Sequence, residues 1–78
     1  MIDRSGPVPP YLQLAVIIRG RVQRGELRPG ERLPSILSLS GEYAMSQVTV
    51  KKALRVLRDE GLVEGVAGYG TFIREPSG

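Results

Sequence analysis

Between residues 46 and 58 the chain carries Lys51, Lys52, Arg55 and Arg58 with no acid among them, and it opens that stretch with the hydroxyl and amide side chains of Ser46, Gln47 and Thr49. Cations on a helix can grip phosphate oxygens, and an amide beside them can pair with a base edge. A merely solvated helix face is the bland alternative, and the charge run alone does not decide between the two. Bond-making chemistry has far less to work with. The 78 residues include no histidine and no cysteine, which removes the usual general base, the thiol nucleophile, disulfide staples and the common zinc ligand sets. No metal-ligand spacing or paired-acid constellation takes their place, so the sequence offers no catalytic residue, no metal site and no cofactor site. The formal charge is +3, from 11 Lys and Arg against 8 Asp and Glu, a mild excess that favours a polyanionic partner. Its distribution matters more, because Asp59, Glu60 and Glu64 gather beyond the basic stretch.

The elements that must carry these residues can be read in order. Residues 1–9 hold Gly6, Pro7 and Pro9 and are expected to be a flexible lead-in. Pro10 suits a first helical turn, and Tyr11, Leu14, Ala15, Ile18 and Val22 then recur at helical spacing, predicting a helix over about 10–24 that stops at Gly25. Pro29 and Gly30 suit the two central positions of a turn. Arg32 and Leu33 leave room only for a very short extended piece. Ser35 is a candidate N-cap for a second helix over 36–42 with Ile36, Leu39 and Tyr43 inward, and Ser46 opens a third over 47–59 after a tight turn.

In that third helix Val50, Ala53, Leu54 and Leu57 form one apolar stripe, which leaves Val48, Lys51, Lys52 and Arg55 on the opposite side and Gln47 exposed at the amino-terminal end. After Gly61, Leu62-Val63-Glu64 and Thr71-Phe72-Ile73 flank a glycine-rich loop and read as a hairpin. Three helices and a hairpin predict a mainly α winged helix-turn-helix over 10–74, with residues 75–78 a polar tail. Tyr11, Ile18, Leu39, Met45, Leu54 and Phe72 are expected in the core. No apolar run approaches the roughly 20 residues that cross a bilayer, and the first residues lack a signal peptide's apolar stretch, so a cytoplasmic address is expected.

Five short motifs stand in order along the chain: Tyr11-Leu-Gln13, Gly25-Glu-Leu-Arg-Pro-Gly-Glu-Arg-Leu-Pro-Ser35, Ser46-Gln-Val-Thr-Val-Lys-Lys-Ala-Leu54, Glu60-Gly-Leu-Val63 and Gly68-Tyr-Gly-Thr-Phe72. Over residues 9–74 the sequence resembles the DNA-binding domain of the GntR family of bacterial regulators. The resemblance implies a sequence-specific repressor, reading a palindromic duplex operator as a homodimer, with the third helix in the major groove and the wing in the minor groove. It maps the DNA contacts onto Ser46, Gln47, Val48, Thr49 and Lys51, and onto Ala67, Gly68 and Tyr69 at the wing tip; Lys52 and Arg55 join them on charge. It also implies that any effector binds a region outside this stretch.

There are departures from the family pattern. Ile36 and Leu37 stand where the family has an acid and an arginine, and Gln47 stands where it has an arginine, which shifts the expected base preference from guanine toward adenine or weakens binding. Thr49 has two readings, a phosphate or thymine contact or a local bond to the helix. Tyr69, between two glycines, can stack on a sugar, enter a groove or meet a protein. A winged-helix protein-interaction module is the competing class, since fold does not fix function, and an enzyme ranks below both.

Overall fold

The computed structural model describes residues 2–74. Three helices, α1 (Pro10–Gln23), α2 (Ile36–Tyr43) and α3 (Gln47–Asp59), precede two strands, β1 (Val63–Val66) and β2 (Gly70–Ile73). The strands pair antiparallel, with Val63 opposite Ile73 and Val66 opposite Gly70, so Ala67 to Tyr69 form the turn. The expected architecture holds, and α3 has the expected bounds. Both strands run further into the glycine-rich stretch than their apolar residues suggest. The polar tail expected over 75–78 lies outside the described residues.

Local chemistry sets the helix ends. Pro10 takes a position whose N–H would lack a partner, while Ser35 Oγ accepts from Ser38 N at 3.0 Å and Ser46 Oγ accepts from Thr49 N at 3.1 Å. Because the Ser35 cap holds the first turn of α2, Ser35→Ala is expected to lower stability by about 1 kcal/mol, checked by urea unfolding. Pro29 and Gly30 form the expected turn: Glu31 N donates to Arg28 O at 3.0 Å and Gly30 has φ +85°. The chain then runs beside β2, where Leu33 N donates to Thr71 O and Ile73 N donates to Glu31 O, each at 2.8 Å. A single bridge pairs Arg32 with Phe72, so the wing has a short third member.

Leu14, Ile18, Leu39, Val50, Leu57, Val63 and Ile73 fill the centre of the core, where α3 packs against α1, α2 and β1. Of the six residues expected in the core, Ile18, Leu39, Met45 and Leu54 are buried, but Tyr11 and Phe72 are only half-buried. Phe72 is excluded by alternation: Ile73 takes the core face of β2, so its neighbour must point to the other face, opposite Glu64. Tyr11 packs at the rim of the cluster.

The lead-in, expected to be flexible, lies along α1 in this structure. Gln13 bonds it three times, accepting from Asp3 N at 2.6 Å and donating to Asp3 O at 2.5 Å and to Val8 O at 2.7 Å, and Ile2 packs on the core. Arg4 donates to the carbonyl of Ala44. At the far end of α1, Arg19 grips Glu60 with two bonds, 3.0 and 2.5 Å, tying the first helix to the end of the third. Among the described residues no helix is long and apolar enough to cross a membrane.

Candidate nucleic-acid interface

The face of α3 turned away from the core carries Gln47, Val48, Lys51, Lys52 and Arg55, all exposed. Val48 is 64% exposed at the amino-terminal end, although it is apolar. The helix is mounted firmly: Val50, Ala53, Leu54 and Leu57 are all buried on its other side. The cationic face therefore keeps its place only while that stripe stays packed.

Geometry divides the cations. Lys51, Arg55 and Arg58 line one side of a groove of about 310 Å³, with Ile36 and Leu54 beside them and Thr71 of β2 completing it. Lys52 points elsewhere, its Nζ lying 5.8 Å from the centre of the Tyr11 ring. Both lysines are exposed, so neither is covered by the domain, but Lys52 belongs to the α1 side of α3 and Lys51 to the wing side. A cation over an aromatic face contributes about 0.5–1 kcal/mol at an exposed site, which gives Lys52 a structural contact of its own.

The hydroxyls at the start of α3 are engaged with each other. Ser46 Oγ and Thr49 Oγ1 lie 2.9 Å apart, and Ser46 Oγ also caps the helix. The local bond expected of Thr49 is to the helix backbone; its hydroxyl instead meets the Ser46 side chain, with Thr49 half-buried. Gln47 makes no such bond and projects from the helix end, exposed. The Arg24 side chain bonded to Glu26 holds its carboxyl below the usual range, Ser5 does the same to Asp3, and burial pushes the Tyr43 phenol up.

At the wing, Gly68 has φ +82° and Gly70 φ +109°, conformations that side chains rarely adopt, and Tyr69 between them is 69% exposed. Arg32 lies directly over Gly70, where a Cβ would come within 2.9 Å of Nε, and Nη2 of Arg58 lies 3.6 Å from the Cβ position of Gly65. Two arginines thus lie against the turn-proximal half of the wing. Sequence reading puts Arg32 in a very short extended piece and gives Arg58 a phosphate contact or plain solvation, with neither of them beside the wing. Both placements depend on pairings distant in the chain, and only the short extended piece at Arg32 and Leu33 hints at the first.

A basic helix fronting a three-helix core, with a glycine-tipped hairpin at its side, defines a winged helix-turn-helix. The family model "Bacterial regulatory proteins, gntR family" matches residues 10–73, and the chain belongs to the GntR family. It is 43% identical over 70 residues to the mannosyl-D-glycerate transport/metabolism system repressor MngR of Escherichia coli, covering 90% of this chain and 29% of that one. The chain therefore spans less than a third of that relative. The structure of YtrA from Sulfolobus acidocaldarius, a GntR-family transcription factor, superposes with a TM-score of 0.90 at 34% identity, covering 99% of this chain and 81% of that one. AraR(DBD) in complex with operator ORX1 matches with a TM-score of 0.86 at 28% identity, covering 94% of each chain.

Proposed function

We propose that this chain is the operator-reading head of a bacterial transcription repressor, entering the major groove with the amino-terminal half of α3 and the neighbouring minor groove with the wing. The observation that carries this reading is the mounting of α3, one face in the core and the opposite face cationic, exposed and flanked by the hairpin. The likeness to AraR(DBD), solved with its operator, and to the repressor MngR supports it.

In this reading Gln47 pairs with adenine N6 and N7, a contact that contributes about 1–3 kcal/mol of discrimination. Lys51 reaches a base edge or the adjoining phosphate, Arg55 grips the backbone, and Ser46 and Thr49 present the helix end. Lys52 keeps the backbone on the Tyr11 side. Gly68 lets the wing approach the minor groove closely, where Tyr69 stacks on a sugar. No step of catalysis is involved, and the setting is the cytoplasm.

A homodimer on a palindrome would place two such heads about one helical turn apart, with dimer contacts and effector binding supplied by sequence outside this domain. A single head loses the avidity of two, so the 78 residues alone bind weakly. Selecting duplexes from a random pool at low salt should enrich one half-site. On that site Lys51→Ala is expected to cost about 1–3 kcal/mol in a binding titration. An unchanged affinity would remove Lys51 from the interface, and failure to enrich any duplex would sink the reading.

A further inference from the structure

Val48 is an apolar residue at the amino-terminal end of a cationic face. It lies opposite the Val50, Ala53, Leu54 and Leu57 stripe, takes no part in the packing of α3, and is flanked by Lys51, Lys52 and Arg55. A β-branched side chain in the first turn gains nothing there as a helix former. A lone exposed valine elsewhere on a surface would need no account; this one stands where, on the reading above, the duplex must approach closest, and the lysines and arginine around it hold the phosphates on either side.

The neighbours narrow what Val48 can meet. Thr49 is half-buried with its hydroxyl bonded to Ser46, and Lys52 lies over Tyr11. Gln47, Val48 and Lys51 are therefore the side chains left free at the helix tip. Gln47 and Lys51 are hydrogen-bonding groups; Val48 has only methyls. In the major groove the one apolar group on a base-pair edge is the C5-methyl of thymine.

We propose that Val48 reads the methyl group of one thymine per half-site, which makes it a specificity-determining residue beside Gln47. This inference rests on the DNA-binding reading and adds a base to it. Together the two residues call for neighbouring A·T pairs, one read by hydrogen bonds through its adenine and the next by apolar contact through its thymine.

The test uses the 78-residue chain and the half-site enriched by selection, with each thymine replaced in turn by deoxyuridine, which removes the methyl and leaves every hydrogen-bonding group in place. Uracil at a single position should weaken wild-type binding about fourfold, equivalent to the ~0.8 kcal/mol gained by burying one such carbon. The Val48→Ala variant should bind the thymine and uracil duplexes alike while its melting midpoint does not fall, since the side chain is exposed and alanine is the better helix former. Insensitivity of the wild type at every thymine, or an undiminished thymine preference in Val48→Ala, would overturn the proposal while leaving DNA binding intact. If wild-type protein enriches no duplex, the DNA-binding reading itself falls, and this inference with it.

Discussion

Replacing Lys51, Arg55 and Arg58 together by alanine is expected to flatten the salt dependence of DNA binding while the domain stays folded. Each phosphate neutralised by a cation contributes about 0.9 to the slope of log affinity against log salt, so three contacts contribute roughly 2.7. Raising salt from about 50 to about 200 mM should then weaken wild-type binding about 40-fold more than it weakens the triple variant. All three side chains are exposed and line the groove between α3 and the wing. Surface changes of this kind usually alter stability by less than about 0.5 kcal/mol each, so the loss belongs to binding. The same titration separates a DNA reader from a protein-interaction module, whose groove would respond little to salt. Equal slopes for wild type and variant would mean that the phosphate backbone does not run along this groove.

Most of the third helix was legible because two independent signals agree over it. Ser46 caps it, Gly61 ends it, and Val50 to Leu57 keep a helical period that tertiary packing reinforces. The second helix ends less legibly. Ala44 stands in the left-handed region with φ +53°, where a glycine would be expected. Such a conformation costs an alanine about 1–2 kcal/mol. It is held by Met45 N donating to Ser40 O and by the Ser40 hydroxyl donating back to Met45 O. No residue type announces that arrangement, because it depends on how the turn is pinned between two packed helices.

The interface follows the same division. Periodicity alone puts Lys51 and Lys52 on one exposed face, and both are indeed exposed. Which of them faces the wing and which faces Tyr11 depends on how α1 crosses α3, which a single helix's sequence does not carry. Arg32 illustrates the harder case. It reaches the wing through the Arg32 to Phe72 bridge, across a separation that no local pattern encodes.

Leu57→Ala should be among the most damaging single core changes, with an expected loss of about 2–5 kcal/mol. Leu57 is completely buried on α3, the helix that packs against α1, α2 and β1, and it is among the largest side chains so enclosed. A domain of this size has roughly 4–12 kcal/mol of stability in all, so the truncation removes a large share of it. Each kcal/mol corresponds to about 4–8 °C in the melting midpoint, which predicts a drop of at least about 8 °C by calorimetry. The effect on DNA is then indirect. Below the lowered midpoint, where both proteins are folded, the variant should bind its site with near wild-type affinity, because Leu57 does not line the groove of exposed cations. On warming it should lose binding in step with unfolding. A midpoint within about 2 °C of wild type, far less than the loss of one buried side chain implies, would show that the stripe beneath the basic face does not hold the domain together.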